Sequence, residues 1–428
     1  MDILPIDIPL DLPAALWFLK FVLIAFFLLH ILFINFMIGG TIWTVFMKML
    51  GREDPFWHRV AKDIGNTVTV NKSLAVVLGI APLLTVSLVY TQFFYSANNI
   101  TAPLWLSIIW LVPTAFISLY IFKYTWDSRH YSEKFKYFWG LLAVAIFMFV
   151  PLIFLSNINL MLYPDQWKNV YNFWQAIWVP NVLPRYLHFM NASLAITGFF
   201  AYGYFHVKGR NKPDDLAYYK RASRLGMKWA LFATLLQMVF GVLNYATLPM
   251  IADSALVLIL ILITVVIAGI VVYLLSLNLF AEKNIRPAVI LTLALIVVAL
   301  MATQRHFIRE NALTEPKKML ANKTDIYRTR LAAFLKNYSP TGEIKVTGQS
   351  IFQDVCMSCH AIDRKVVGPP MSYAIDKYKN TPDAMVAFVN SPKKVNPDYP
   401  VMPKPPVSPA EIDMVVDYLL NLEKGKNE

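Results

Sequence analysis

The chain has 428 residues, a net charge of +12, 57% hydrophobic residues and 15% charged residues. This composition is far more apolar than that of an average soluble domain, which excludes a soluble protein. The positive charge does not indicate a nucleic-acid-binding protein, because the lysines and arginines lie in short segments between apolar runs, where membrane topology accounts for them. We therefore predict an all-α membrane protein.

Eight apolar runs are each long enough to cross a bilayer as a helix, which takes about 20 residues. These runs are 16–46, 68–95, 102–126, 136–162, 185–207, 222–247, 254–281 and 287–306. Basic residues concentrate after the first, third, fifth and seventh runs. By the positive-inside rule, both the N-terminus and the C-terminal tail lie on the outer side of a bacterial cytoplasmic membrane.

The composition changes after the last apolar run, which predicts three parts. Residues 1–307 form a polytopic helix bundle, residues 308–347 a basic linker, and residues 348–428 a small α-helical domain that faces outward.

Three histidines stand within or at the end of apolar runs. His30 lies in the first run, His188 in the fifth, and His306 at the end of the eighth. Ionisable residues inside membrane helices usually have a function, and neutral imidazole is the usual ligand of b-type haem. We predict one or two non-covalent b haems here. The alternatives are packing histidines at His30 and His188 and an interfacial histidine at His306.

Other polar residues flank the runs. Three histidines in or beside the basic segments are interpreted as solvent-exposed loop residues, and they are His58, His130 and His206. Four basic residues that follow the last run either pair with haem propionates or contact lipid headgroups, and we favour headgroups. They are Arg305, Arg309, Lys317 and Lys318.

The C-terminal domain contains the motif Cys-x-x-Cys-His. Cys356 and Cys359 are the two cysteines of the chain, and His360 follows directly. This spacing is typical of one covalently attached c-type haem, with the histidine as an iron ligand. A zinc site would need four ligands, and the motif supplies three. Pro369, in the segment "VVGPPM", is expected to present the backbone carbonyl that orients His360.

The sixth iron ligand is expected to be a thioether, which raises the reduction potential. Met402 lies in a proline-rich loop ahead of a predicted helix. Met357 and Met371 lie too close to the attachment motif to reach the opposite side of the haem. Met414 has the helical spacing of a core residue, so we predict Met402 as the ligand.

Four segments resemble the large subunit of cytochrome bd quinol oxidases in their order and spacing. They are "LKFVLIAFFLLHILFINFMIGG", "APLWLSIIWLVPTAF", "LSNINLMLYPDQW" and "RYLHFMNASLAITGFFAYGYFHVKGR". The resemblance covers most of residues 15–250 and is patchy to residue 310. It implies that His188 ligates a low-spin b haem and that His30 ligates a haem of the oxygen-reducing pair. Met250 is the nearest match to the methionine that completes the low-spin site.

Residues 348–428 resemble a class I monohaem cytochrome c. The membrane part differs from the oxidase family in three respects that bear on function. Ser107 and Ala115 stand where the family's third helix has carboxylates, and Thr303 stands near the position of a haem-ligating glutamate. The long quinol-binding loop is reduced to about "NYATLPMIADS".

These features predict a membrane electron-transfer subunit. It would relay electrons between the quinone pool or another redox subunit of a respiratory complex and a cytochrome partner on the outer face. One alternative is a terminal reductase of oxygen or a nitrogen oxide, fed by its own cytochrome c domain; another is an anchor without membrane haems. Because the eight runs contain no Asp or Glu to relay protons, electron transfer is favoured.

Overall fold

The computed structural model describes residues 12–51, 54–70, 72–249, 254–283, 285–337 and 347–422. Within these residues the regular secondary structure is entirely helical, which confirms the predicted all-α class. The chain divides into two compact units, Met1–Arg328 and Thr329–Glu428.

The first unit is a bundle of long helices, because a backbone in lipid must satisfy its hydrogen bonds within its own segment. The helices are α1 (Leu16–Leu50), α2 (Pro55–Val70), α3 (Lys72–Val89), α4 (Thr91–Ile100), α5 (Ala102–Tyr124), α6 (Glu133–Leu160), α7 (Phe173–Ala176), α8 (Val182–Arg210), α9 (Leu216–Ala246), α10 (Ala255–Phe280) and α11 (Pro287–Ala312). Helix α12 (Thr314–Asn337) follows and runs across the division between the units.

Six of the described helices are long and apolar enough to cross a membrane, and a bent pair would make a seventh. The six are α1, α5, α6, α9, α10 and α11. Six or seven membrane-crossing helices are roughly consistent with the eight predicted runs. The second and the fifth predicted runs account for the difference.

The second predicted run is not one straight span. Helices α3 and α4 meet at an angle of 107°. Tyr90 lies at the break and is buried, with 1% of its surface exposed. The predicted run at 68–95 is therefore wrong as a single helix, because its apolar pattern continues through a bend that the pattern does not reveal.

The fifth predicted run forms α8, which has 29 residues but a more polar composition than the six membrane-crossing candidates. Its Asn191, Ser193 and Thr197 are buried within the bundle. Ser193 Oγ donates a hydrogen bond to Asn35 Oδ1 of α1 at 2.9 Å. Helix α8 is thus a central helix whose polar groups are satisfied by its neighbours.

Helices α8 and α9 approach each other very closely. A Cβ atom on Gly198 would lie 2.6 Å from the backbone nitrogen of Ala230, and one on Gly226 would lie 2.5 Å from that of Tyr202. Glycine, whose side chain is a single hydrogen atom, therefore fits at these two positions without a clash. Small residues at such crossings allow the backbone contact that replaces the hydrophobic effect inside a membrane.

The second unit contains four short helices around one core. They are α13 (Gly348–Ile351), α14 (Met371–Tyr378), α15 (Pro382–Asn390) and α16 (Pro409–Asn421). Helix α16 begins with a capping box in which Ser408 Oγ accepts from Glu411 N at 3.3 Å and Glu411 Oε2 accepts from Ser408 N at 2.6 Å. This interaction holds the pKa of Glu411 below its usual value, because the carboxylate accepts hydrogen bonds from Ser408.

One core prediction in this unit is wrong. Met414 is 44% exposed, whereas Ile412, Val415, Val416 and Leu419 are buried in the core. These four residues occupy the inward face of α16, and Met414 lies outside that face.

The α8–α9 crossing yields a test of the packing. Gly198→Val should destabilise the bundle by about 2 kcal/mol, since overpacking a close contact costs about 1–3 kcal/mol. The matched control is Gly269→Val in α10, where an added Cβ meets no atom within 4 Å. Thermal unfolding in detergent should show a lower midpoint for the first variant only. Equal midpoints would contradict the close crossing.

Candidate haem-binding sites

The Cys-x-x-Cys-His segment forms a tight turn. Cys356 ends a π-helical turn, Phe352–Cys356, and its carbonyl accepts hydrogen bonds from the backbone nitrogens of Cys359 at 3.1 Å and His360 at 3.0 Å. Both cysteine side chains are free and half-buried. The turn therefore holds two thiols and an imidazole on one short loop, as double covalent attachment of one haem requires.

His360 is oriented by the segment that follows it. Its Nδ1 lies 2.9 Å from the carbonyl oxygen of Pro369. This bond assigns Nδ1 as the donor and leaves Nε2 for a metal. A Cβ on Gly368 would lie 2.2 Å from His360 Cε1, so the backbone itself packs against the ring.

Met402 lies between α15 and α16 and is half-buried. Its loop also contains Tyr399, whose ring lies 4.6 Å from the Lys365 ammonium. The loop that carries Met402 thus contacts the segment that follows the attachment motif.

His30 of α1 is held by α3. Its Nδ1 lies 2.8 Å from the carbonyl oxygen of Ala75, which leaves Nε2 for another partner. A Cβ on Gly79 would lie 2.7 Å from His30 Cε1, so only glycine makes room for the ring here. The geometry is that of a histidine ligand fixed by a backbone carbonyl.

His188 of α8 faces α9. Gly241 leaves space beside the ring, since a Cβ there would lie 3.7 Å from His188 Cε1. Gln237 Nε2 donates to the backbone oxygen of His188 at 3.1 Å and Gln237 Oε1 accepts from Asn191 at 2.6 Å. The imidazole Nδ1 is buried near the backbone of Phe240 without reaching hydrogen-bond geometry.

Three arginines surround the two outer histidines. Arg185 precedes His188 by one turn of α8, and Arg305 and Arg309 flank His306 on α11. Five of their nitrogen atoms are buried without a hydrogen-bond partner in the described structure, as is His306 Nδ1. Arg309 as a whole is 7% exposed. We call these three residues the arginine cluster.

The arginine cluster concentrates positive charge. Its guanidinium groups lie near enough to repel one another, and Tyr163 is the neighbouring polar group. Among the described residues, none of the three forms a salt bridge. An unpaired buried charge costs several kcal/mol, so the arrangement calls for anionic groups from a bound molecule. Haem propionates are such groups, and arginine binds carboxylates bidentately.

A second cluster of charges surrounds Glu310, which follows His306 by one turn of α11. Its carboxylate accepts hydrogen bonds from Lys20 Nζ at 3.0 Å, from Lys317 Nζ at 3.3 Å and from the hydroxyl of Tyr90. The carboxylate thus joins α1, the α3–α4 break, α11 and α12. The predicted last run ends at residue 306, whereas α11 continues to Ala312, and for this reason the sequence pattern missed Glu310.

Several sequence predictions take a different form in the structure. His58 lies in α2 and accepts a hydrogen bond from Trp126 Nε1 at 2.9 Å, and His206 lies in α8, so neither is a loop residue. Arg305 and Arg309 point inward rather than to headgroups, whereas Lys318 is 68% exposed and pairs with Glu315. Met250 lies outside the described residues.

Comparisons with known proteins give a match for each of the two parts of the chain. Residues 19–249 match the family "Cytochrome bd terminal oxidase subunit I", and residues 346–423 match the family "Cytochrome c". Cytochrome c-551 of Pseudomonas denitrificans is 31% identical over 81 residues, which cover 18% of this chain and 99% of that protein. The structure of bd oxidase from Geobacillus thermodenitrificans has a TM-score of 0.56 at 14% identity, covering 74% of this chain and 96% of that chain, and therefore shows a shared fold.

The loop position of Met402 leads to a test of the sixth ligand. Met402→Ala should leave the haem attached to Cys356 and Cys359 but lower its reduction potential and abolish the sulfur-to-iron absorption band, because a thioether ligand raises the potential. Met414→Ala is the matched control, since Met414 is an exposed methionine of the same domain. Spectroscopic redox titration measures both effects. An unchanged band in Met402→Ala would contradict the assignment.

Proposed function

The chain belongs to the cytochrome bd terminal oxidase subunit I family and carries a C-terminal cytochrome c domain, and from this premise we propose that it is an electron conduit of the bacterial inner membrane. Family and domain establish a membrane redox protein with b-type haem and covalent c-type haem. The finer proposal is that electrons pass between quinol, or a membrane redox partner, and a cytochrome on the outer face.

The arginine cluster is the observation that carries this proposal. Bound haem supplies reversible one-electron chemistry at its iron. His188 and His306 would each supply an imidazole ligand. The arginine cluster would bind the haem propionates and so hold each haem in place. Three guanidinium groups exceed the two carboxylates of a single haem, which supports two b haems that share the cluster.

The C-terminal domain would serve as the outer terminus of the path. Cys356 and Cys359 hold the haem covalently, so it is retained when the domain is exposed to water. Pro369 fixes the tautomer of His360, and Met402 would complete the iron coordination. A thioether and an imidazole as the two protein ligands would suit a carrier that accepts electrons readily and does not bind oxygen.

The orientation follows from charge. The basic segments after α1, α5 and α8 lie at one end of the bundle, and His188 and the arginine cluster lie toward the other end of α8 and α11. We place the basic end in the cytoplasm and both chain termini outside. The b haems near His188 and His306 would then lie toward the outer face, where a cytochrome partner would exchange electrons.

Proton supply separates the conduit from an oxidase. Within α1, α3–α6 and α8–α11 the carboxylates are Glu133 and Glu310, and each lies within one turn of a helix end. Ala115, at the position of a family carboxylate, is fully buried among apolar residues. Reducing oxygen to water inside the bundle would need protons that ionisable side chains normally relay. Glu310 beside His306 is the feature that favours the alternative of a terminal reductase.

The first test concerns the membrane haems. His188→Ala should lower the content of b haem from two to one per c haem, because it removes one axial ligand. Arg309→Gln should weaken retention of b haem about tenfold or more during purification, since it removes a buried propionate partner. Lys318→Gln is the control, as Lys318 is a surface residue of the same segment. Pyridine haemochrome spectra measure both haem types in one sample.

If His188→Ala retained its full b-haem content, His188 would be a packing histidine. If Arg309→Gln matched Lys318→Gln, the arginine cluster would not bind propionates. In either case the covalent haem serves as the internal standard, because its attachment depends on the separate C-terminal unit.

The second test decides between conduit and reductase. Purified reduced protein should show no carbon monoxide adduct and no sustained oxygen uptake with a quinol or a reduced cytochrome donor, because the bundle lacks interior carboxylates. The matched variant is His30→Ala. A carbon monoxide-binding haem together with oxygen uptake that His30→Ala abolishes would overturn the conduit and establish the reductase.

A further inference from the structure

A cavity of about 280 Å³ opens among α1, α2 and the end of α5. It lies at the basic end of the bundle, away from His188 and the arginine cluster. Thr44 of α1 lines it, and His30 precedes Thr44 by fourteen residues on the same helix, which corresponds to about 21 Å. The cavity is therefore separate from the haem sites described above.

The polar wall of the cavity carries two ammonium groups and one carboxylate. Lys123 Nζ donates to Thr69 Oγ1 at 2.6 Å, and Lys62 Nζ donates to Asp127 Oδ2 at 2.5 Å. The Lys62 ammonium holds the pKa of Asp127 below its usual value, so this carboxylate is ionised at neutral pH. The cavity lining therefore has a net charge of one positive unit.

An apolar groove continues from the same place along the outside of the bundle. Tyr124 lines both the cavity and the groove. The groove is formed by Ile117, Tyr120 and Ile121 of α5 and by Tyr131 and Phe135 beyond it. Ile117 is 57% exposed and Tyr124 is 76% exposed, so the groove faces the surroundings of the bundle. The polar cavity and the apolar groove thus adjoin at Tyr124.

We propose that this composite site binds an anionic phospholipid of the inner leaflet, with its phosphodiester in the cavity and an acyl chain in the groove. The lysines supply the charge that a phosphate requires, and the basic end of the bundle meets the anionic cytoplasmic leaflet. The cavity is too small for a whole lipid but large enough for a headgroup. The chain must therefore leave through an apolar exit, and the groove provides one.

A quinol is the competing occupant of such an amphipathic site. Its ring is neutral, so it gains less from two ammonium groups than a phosphate does. A ring bound beside Thr44 would also lie about 21 Å along α1 from His30, which leaves it without a nearby electron acceptor on that helix. The charge and the distance both favour the lipid.

The test uses the full-length haem-loaded protein, delipidated in detergent. Native mass spectrometry and thermal unfolding are recorded with phosphatidylglycerol and with phosphatidylcholine. We expect phosphatidylglycerol to bind at least tenfold more tightly and to raise the unfolding midpoint. Lys123→Gln should remove this preference, Lys123→Arg should keep it, and Lys220→Gln should not change it, because Lys220 is an exposed lysine of α9 outside the cavity.

Equal binding of the two lipids, or a preference that survives in Lys123→Gln, would overturn the proposal. Displacement of phosphatidylglycerol by a quinone analogue at equal concentration would also overturn it and assign the site to quinone. The haem content of each variant is measured in the same samples. A loss of lipid preference with full haem content therefore concerns this site and not the electron path.

Discussion

The need to neutralise buried positive charge is the main constraint on the end of the bundle where α8 begins and α11 ends. Arg185, Arg305 and Arg309 come from two helices that are distant in sequence, and five of their buried nitrogens have no hydrogen-bond partner among the described residues. A bundle that kept such groups unpaired would lose several kcal/mol for each. In the proposed function, bound carboxylates would neutralise these groups, which would link the packing of α8 against α11 to the cofactors.

The same requirement is met differently elsewhere in the bundle. Around Glu310 the protein supplies its own anion, and two lysines and a tyrosine share it. The contrast between a cluster that is satisfied by protein groups and a cluster that is not distinguishes a structural contact from a binding site. Burial and charge alone would not separate the two, because both clusters combine them.

Most of the fold could be predicted from apolar length, because a bilayer imposes that length on a helix. Helix-internal polar residues were harder to interpret, as α8 shows: its buried Asn191 and Thr197 lower its hydropathy although it lies at the centre of the bundle. The break at Tyr90 leaves the apolar pattern unchanged and so gave no signal. Glu310 was missed because the helix continues past the apolar run.

The candidate sites also differ in how far they could be predicted from the sequence. The covalent haem motif is local in sequence, so its turn and the Pro369 contact could be anticipated from a few residues. The arginine cluster depends on contacts between α8 and α11, and the role of Arg185 becomes visible only when these helices are packed. A basic residue one turn from an intramembrane histidine is the signal that could have identified it.

The contact between Lys20 and Glu310 spans 290 positions of the chain. At a synthesis rate of about 5–20 residues per second, the lysine waits about 15–60 s in the membrane before its carboxylate partner exists. During that interval α1 and the α3–α4 break lack the carboxylate that they share. The contact that joins Lys20 and Tyr90 to α11 therefore forms only after the last of the apolar helices has been made.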